Sequence, residues 1–318
     1  MGQEEDLSRA CRGGQRMSLL LAALAIAATS APVPRPAPPQ DAQKPPIIIG
    51  TEVEIVSVPV LVFDKAGRFI PDLKKQDIQI FEDGVQQEIT YLANSSGDDR
   101  IPLSIAMTLD TSGSMQPSIS FLKEAATYFT GKLETSDQAL VVQFNETVKS
   151  SAEFTDDGDR LDSFINGLQV WGGTALYDAV LYSLDRLRDR PGRKALILLS
   201  DGDDNSSTQA SKGQVTAMAK SLEVSIYSVG IQGFDLPKGF LKNLAEDTGG
   251  AYYFPNKVSE LVKVFEAISK DLKNNYLVAY SPKRAADNTY RKIEVRVSRP
   301  EVTVRVRPGY MATKKRRR

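Results

Sequence analysis

Asp110, Ser112 and Ser114 alternate along one short segment and bring three oxygen-bearing side chains onto it. The segment directly follows residues 101–109, an apolar run that predicts a buried strand. Gly113 allows a sharp turn there because it has no Cβ to clash. Carboxylate and hydroxyl oxygens suit Mg²⁺, Mn²⁺ or Ca²⁺ better than zinc. The segment therefore predicts part of a site for a hard divalent cation.

Two further segments are predicted to complete this site from distant parts of the chain. Thr174 opens the amphipathic run 175–187, and Asp201 ends a second buried strand, residues 195–200. Open α/β sheets bind ligands beyond the carboxyl ends of their strands, where Asp110 and Asp201 are both expected. Three loops thus converge on one cation, with these predicted ligands: Asp110, Ser112, Ser114, Thr174 and Asp201.

Each segment also has a simpler interpretation when it is taken alone. Ser112 or Ser114 is a candidate cap for the helix predicted near residues 115–132, and Thr174 is a candidate cap for a later one. Asp201 is followed by glycine, a pair typical of turns. The order, spacing and strand context of the three segments together favour the metal site.

The composition excludes several classes of enzyme and metal site. The chain of 318 residues has no histidine, and its single cysteine, Cys11, lies ahead of a predicted cleavage site. Ser-His-Asp and Cys-His triads are therefore excluded, as is zinc held by histidine or by four cysteines. No G-x-x-x-x-G-K-[ST] loop is present to hold nucleotide phosphates. The 40 acidic residues balance 40 basic ones, so the net charge does not favour nucleic acid as a partner.

At these positions the chain resembles the von Willebrand factor A domain. The metal-ion-dependent adhesion site of that family has the pattern D-x-S-x-S…T…D, and the five predicted ligands fill every position of it. The resemblance implies a Mg²⁺ site, with Mn²⁺ or Ca²⁺ as alternatives, in a protein that binds other proteins and is not an enzyme. It also implies that an Asp or Glu of the partner completes the coordination of the metal.

Elementary chemistry predicts the same partner group, since a hard anionic oxygen can displace water from the cation. Two other functions stay open. One is an envelope scaffold whose metal site is purely structural. The other is a Mg²⁺-dependent phosphohydrolase with Asp110 as the nucleophile. That class of enzyme carries a second Asp as general acid where this chain has Ser112, which cannot serve as an acid near neutral pH.

Three residues beside the predicted site are candidates for contact with the partner: Trp171, Gly173 and Asp203. Trp171 is the only tryptophan, and it fits an exposed hot spot and a buried packing role equally well. Asp203, Asp204 and Asn205 are predicted to form a solvated loop. The same segment resembles the start of a Ca²⁺ loop, but it lacks the glycine and the bidentate Glu that such a loop needs.

The hydrophobic patterns predict an α/β fold with β-rich flanks. Between residues 100 and 273, apolar strands alternate with amphipathic helices, which predicts a doubly wound, mostly parallel sheet. Residues 47–99 and 274–312 alternate with a period of two, as half-buried strands do. Neither flank is large enough for a stable sheet of its own. We therefore expect the flanks to form one small all-β sandwich into which the α/β domain is inserted.

Several predicted elements bear directly on the site or on the sandwich. Asp83 and Gly84 predict a type I′ turn in a hairpin over residues 77–91. Around the site, the patterns predict strands at 103–110, 149–154 and 194–200 and helices near 115–132 and 174–189. A last helix, 258–273, leads directly into the C-terminal flank.

Both ends of the chain are predicted to lie outside the fold. Two arginines precede the apolar stretch 19–28, the pattern of a signal peptide over residues 1–31. A proline-rich linker, 32–46, follows, and residues 313–318 form a basic tail. We expect an exported protein, periplasmic or secreted, with no stable membrane anchor after cleavage. The sequence predicts no nucleic-acid partner and carries no signal of oligomeric state.

The flanks extend the resemblance. The hairpin-bearing lead, the A domain, and a tail with a Tyr-Leu-Val-Ala-Tyr-Ser-Pro segment from Tyr276 are similar to exported von Willebrand factor A-related proteins of acidobacteria. This resemblance covers about residues 47–312 and implies an architecture and a mode of binding.

Overall fold

The computed structural model describes residues 55–94, 101–201, 203–231 and 238–313. The predicted signal peptide, linker and most of the basic tail lie outside these residues. The strands are β1 Val56–Phe63, β2 Ile78–Glu82, β3 Val85–Gln87, β4 Ile89–Asn94, β5 Leu103–Asp110, β6 Gln138–Phe144, β7 Val148–Ser150, β8 Arg193–Ser200, β9 Val224–Gly230, β10 Tyr252–Tyr253, β11 Tyr276–Tyr280, β12 Tyr290–Val297, β13 Thr303–Val306 and β14 Gly309–Met311. The α-helices are α1 Ile119–Thr130, α2 Gly158–Asn166, α3 Leu176–Arg188, α4 Lys212–Ser221, α5 Lys238–Asp247 and α6 Leu261–Lys273.

A mostly parallel sheet carries the predicted site. Its strand order is β10-β9-β8-β5-β6-β7, and only the edge strand β7 runs antiparallel to its neighbour. The chain leaves β5 for β6 on one side and later returns to β8 on the other, so the strand order reverses at β5. In open α/β sheets, ligands bind where the order reverses in this way. Asp110 ends β5, and Asp201 follows the end of β8 beside it.

Helices cover both faces of this sheet, because alternate residues of the central strands point to opposite sides. On one face Ile105 and Met107 pack with α1, α2 and α6. On the other face Ala106 and Leu198 pack with α3, α4 and α5. The expected doubly wound α/β arrangement is confirmed.

The two flanks together form the expected β-sandwich. One sheet has the order β13-β1-β11-β4, in which strands from the two flanks alternate. The other has the order β14-β12-β2-β3, in which two strands of the C-terminal flank lie beside two strands of the N-terminal flank. A shared core lies between the sheets, with Val58 and Ile80 from the N-terminal flank and Val278 and Ile293 from the C-terminal flank. Each flank therefore completes the sheets of the other.

Three predicted elements have different limits in the structure. Helix α1 begins at Ile119, after Pro117 and a 3-10 turn over Gly113–Met115, and not near 115. Strand β7 ends at Ser150, because Ala152 has a positive φ of 69° that breaks the extended backbone. The hairpin at Asp83 and Gly84 has positive φ at both central residues, but it ends at Gln87.

The chain then crosses to the other sheet, where β4 pairs with β11 and not with β2. The strand β14 was not predicted. Within the described ranges, no helix is both long enough and apolar enough to cross a membrane.

Candidate metal site

Strand β5 delivers Asp110 to the carboxyl edge of the sheet with its side chain fully buried. Its Oδ1 accepts a hydrogen bond from the Ser112 backbone N–H at 2.8 Å, and its Oδ2 accepts one from the Ser200 hydroxyl at 2.6 Å. The pKa of Asp110 is raised to about 6, mainly by burial and also by the nearby carboxylate of Asp201, while these hydrogen bonds oppose the rise. Asp110 is thus an oriented carboxylate with a high cost of desolvation.

Two serines connect this loop to the end of β8. The hydroxyl oxygens of Ser112 and Ser114 lie 3.1 Å apart, and the Ser114 hydroxyl donates to Asp201 Oδ1 at 2.8 Å. Asp201 is buried, and its burial raises the pKa of its carboxyl group. Four of the five predicted ligands therefore lie in one hydrogen-bonded cluster.

The loop that carries Thr174 is held against the same turn. The N–H of Gly113 donates to the Gly172 carbonyl at 2.9 Å, and the N–H of Trp171 donates to the Thr111 carbonyl at 3.0 Å. Thr174 itself is buried, and its backbone N–H donates to Asn205 Oδ1 at 2.8 Å. Backbone contacts thus bring Thr174 to the site, while no hydrogen bond among the described residues joins its hydroxyl to the other four predicted ligands.

The two glycines before Thr174 allow close approach of their neighbours. Gly172 has a positive φ of 71°, and a Cβ there would lie 2.8 Å from the Glu146 side chain. A Cβ on Gly173 would lie 2.3 Å from the Ser206 hydroxyl and 2.6 Å from Asn205 Oδ1. The Gly173 N–H donates to Glu146 Oε1 at 3.2 Å. These contacts fix the loop from both sides.

The candidate contact residues differ in exposure. Trp171 is 44% exposed and Asp203 is exposed, whereas Gly173 is half-buried. Residues 203–205 form a loop in which Asp203 and Asn205 are exposed and Asp204 is half-buried, and two of these side chains also hold neighbouring backbone. Asp204 Oδ1 accepts from the Tyr177 backbone N–H at 3.1 Å at the start of α3, and Asn205 holds Thr174.

Sequence reasoning missed three residues that orient the site: Ser200, Glu146 and Asn205. Ser200 immediately precedes Asp201 at the end of a predicted strand, so its position beside the site was available from the sequence. Glu146 and Asn205 lie in loops, and their roles depend on how distant loops meet.

The donor set fits a hard divalent cation. Two buried carboxylates and the serine hydroxyls lie together, and no Lys or Arg of the described residues forms an ion pair with either carboxylate. The described residues include no group of three or more Asp, Glu, Cys or His side chains that could hold a metal. A cation here would therefore depend on hydroxyl oxygens, which Mg²⁺ accepts and which soft metals disfavour.

Comparison with known proteins identifies the family. The sequence model of the von Willebrand factor type A domain matches residues 104–267. The chain is 32% identical over 168 residues to inter-alpha-trypsin inhibitor heavy chain H4 of Sus scrofa, which covers 47% of this chain and 18% of that protein. It is 23% identical over 198 residues to the uncharacterized protein sll0103 of Synechocystis, which covers 59% of this chain and 47% of that protein. The chain thus spans less than half the length of both relatives.

Among solved structures, proximal thread matrix protein 1 from the mussel byssus has the same fold. Its TM-score is 0.50 at 19% identity, over 60% of this chain and 51% of the mussel protein. Another structure of the mussel protein has a zinc-occupied MIDAS motif, with a TM-score of 0.49, 20% identity and coverage of 57% and 48%.

None of these names denotes an enzyme. None of these proteins is acidobacterial, so the resemblance to exported acidobacterial proteins stays a prediction. The family match covers more than half of the sequence, from the first residues of β5 to within α6. This chain belongs to the von Willebrand factor type A domain family.

Proposed function

We propose that this chain is an exported, metal-dependent protein-binding module for adhesion or assembly. The observation that supports the proposal best is the cluster of Asp110, Ser112, Ser114 and Asp201 at the carboxyl edge of the sheet. Two acidic side chains with no basic partner among the described residues are a natural place for a cation.

Each side chain has a separate task in this proposal. Asp110 and Asp201 supply negative charge, and Ser112, Ser114 and Thr174 supply neutral oxygens. When bound, a divalent cation such as Mg²⁺ supplies a positive centre to which an Asp or Glu of a partner protein can bond. Trp171 and Asp203, both exposed, lie along the chain beside the ligand loops and are proposed to contact the partner.

The burial of Asp110 disfavours the phosphohydrolase alternative. A nucleophile must reach the phosphorus atom of its substrate, but Asp110 is fully buried and both of its carboxylate oxygens accept hydrogen bonds. Ser112 also stands where the general acid of such enzymes would be. The residues support binding better than they support hydrolysis.

The metal itself is tested by thermal unfolding of the wild type and of Asp110→Ala in Mg²⁺ and in chelator. A ligand that binds only the folded state, at a hundredfold excess over its Kd, stabilises that state by about 2.7 kcal/mol. We expect this gain in the wild type and in the surface control Lys123→Ala, and its loss in Asp110→Ala. Equal melting temperatures of the wild type in Mg²⁺ and chelator, over a wide concentration range, would refute occupancy of the site.

The binding function is tested by affinity capture from the envelope fraction of the host. Proteins retained by the wild type in Mg²⁺, and lost both in chelator and with Asp110→Ala, would support the proposal. A Ser112→Ala variant that retains every such partner would point instead to a scaffold with a purely structural metal.

A further inference from the structure

An open groove of about 600 Å³ begins beside the metal loop and follows helix α3. Leu181 and Tyr182 of α3 and Val148 of β7 form its apolar part, and all three side chains are half-buried. Leu181 and Val148 also pack against the core on this face of the sheet. The groove is therefore a firm surface and not a gap between loose loops.

The end of this groove at the start of α3 is continuous with the candidate metal site. Ala175, which follows Thr174, lies in the groove lining, and its N–H donates to the Asn145 carbonyl at 2.7 Å. Glu146, also in the lining, accepts from the Gly173 N–H. The turn between β6 and β7 is thus bonded directly to the loop that carries Thr174. A partner segment that reaches the metal edge would enter this groove next.

Acidic side chains dominate the groove near the metal edge. Glu146 is exposed and Asp178 is half-buried, and both belong to the end of the groove closest to Thr174. Asp185 lies farther along α3 and pairs with Arg188 at 3.0 Å, so these two charges largely compensate each other. Asp178 is already engaged, since its carboxylate accepts the backbone N–H groups of residues 208–210. Glu146 is therefore the carboxylate best placed to meet a positive group.

We infer that this groove binds an extended segment of the partner protein in which the metal-binding acidic residue is followed, on one side, by a basic residue and then by apolar residues. The basic residue pairs with Glu146, and the apolar residues lie on Leu181, Tyr182 and Val148. The lining from Ala175 to Arg188 is about 20 Å long at the rise of an α-helix. About six residues of extended chain span that length. This inference rests on the proposed function and specifies the chemistry of its partner.

The test uses the full chain and an array of synthetic peptides of about seven residues. All peptides carry one Asp, and Lys, Glu, Leu or Ser fills the positions on either side of it. Binding is measured by fluorescence anisotropy at low salt, in Mg²⁺ and in chelator. We expect the tightest Mg²⁺-dependent binding from peptides with Lys close to the Asp and Leu beyond it. Replacing Lys by Ser is expected to weaken binding about two- to fivefold, as for an exposed ion pair.

Glu146→Gln tests the assignment of the basic residue, because Gln keeps the oxygen that accepts the Gly173 N–H and loses only the charge. We expect this variant to lose the preference for Lys over Ser. Glu124→Gln is the matched control: it makes the same charge change at an exposed position of α1, on the opposite face of the sheet, and should keep the preference.

The outcomes separate this inference from the proposed function. Mg²⁺-dependent binding with no preference for Lys, or with a preference that survives Glu146→Gln, would overturn the groove assignment and leave the metal-dependent function standing. Binding that is equal in Mg²⁺ and chelator would overturn the proposed function. Self-association of the chain that Glu146→Gln abolishes would show that a second copy occupies the groove and would overturn the assignment to another protein.

Discussion

Asp110 is the fully buried carboxylate of the candidate site, and its ionised form carries a large cost of desolvation. A second carboxylate nearby adds to the effect of desolvation on its pKa. Two hydrogen-bond donors, the Ser112 N–H and the Ser200 hydroxyl, partly offset this cost. They also fix the direction in which the carboxylate points. Ser200 is therefore a supporting residue for any cation that Asp110 holds.

Removing the Ser200 hydroxyl should weaken the metal site without removing a proposed ligand. Ser200→Ala takes one of two donors from Asp110, and losing a supporting hydrogen bond of this kind typically lowers metal affinity about 10- to 100-fold. Isothermal titration with Mg²⁺ or Mn²⁺ measures the change.

Ser228 offers a matched control on the neighbouring strand β9. It is also fully buried, and among the described residues its hydroxyl has no hydrogen-bond partner. Ser228→Ala should therefore leave metal affinity unchanged and cost little or no stability. Equal affinities of Ser200→Ala and the wild type would contradict the supporting role.

The sequence predicts a residue's place at the site when that place follows from the side-chain type and its position at the end of a strand. It does not predict a place that depends on a contact between distant parts of the chain. Ser112, Ser114 and Asp201 could be predicted to meet because each follows or ends a predicted strand. Glu146 could not, since its contact with Gly173 depends on how the turn after β6 meets the start of α3. Metal binding by these residues stays a prediction.

At the scale of elements, helix α3 and the loop at residues 203–210 hold each other in place. Asp178 in the first turn of α3 accepts three N–H groups of the loop, while Asp204 of the loop accepts the Tyr177 N–H. Acidic side chains are favourable near helix N-termini, where backbone N–H groups have no partner within the helix. These reciprocal bonds keep Thr174, just before α3, in a fixed position.

The turn between β11 and β12 carries an element-scale prediction of pH dependence. Hydrogen bonds from Thr289 are the largest cause that lowers the pKa of Asp287, from 3.8 to about 2. Because this pKa is lower in the folded state than in the unfolded chain, Asp287 stabilises the fold above about pH 4. The contribution is lost as the pH falls toward about 2.

Asp287→Asn should therefore lower stability at neutral pH and make the loss of stability between about pH 4 and pH 2 shallower than in the wild type. Urea unfolding at a series of pH values measures both effects. Asp156→Asn makes the same charge change at an exposed position in the α/β part and controls for net charge. Parallel pH profiles for the wild type and Asp287→Asn would show that the turn contributes nothing to acid sensitivity.

The first and last residues of the helices and strands were harder to predict from the sequence than whether a segment is a helix or a strand. Strand β5 could be predicted from its own residues, because the run at 103–110 is mostly apolar. In the structure all eight of these residues are buried. Helix α1 starts later than its pattern indicates, since the residues before it turn over the candidate site. Glu88 carries no sign that the chain changes sheets there, because the change depends on which strand is available for β4.

At the scale of the whole molecule, the chain joins an α/β layer structure to a sandwich built from both flanks. Arg193 at the start of β8 donates to the Leu272 carbonyl at 2.8 Å and to Asn275 Oδ1 at 2.9 Å, where the chain passes from α6 to the sandwich. Within the sandwich, Glu82 of the N-terminal flank accepts from Tyr280, Arg291 and Tyr310 of the C-terminal flank. All three of these hydrogen-bond donors to Glu82 thus come from the other flank, so the buried network joins the two flanks.

The two folding units should therefore respond differently to loss of the C-terminal flank. In the sheets, β11 lies between β1 and β4, and β12 lies between β14 and β2. A chain that ends after Lys273 would leave β1 and β4 without strand partners and would leave β2 with β3 as a two-stranded hairpin, which is marginal in water. The cores on both faces of the parallel sheet involve residues up to Leu272 and would be retained.

Hydrogen exchange followed by mass spectrometry measures this difference. We expect amides of β1, β2 and β4 to exchange fast in the truncated chain, while those of β5 and β8 keep the slow exchange that they have in the full chain. Peptides from β5 and β8 serve as the internal control, because they report in the same sample whether the α/β part is still folded. Slow exchange in β1 and β4 of the truncated chain would mean that the N-terminal flank folds alone and that the two flanks do not depend on each other.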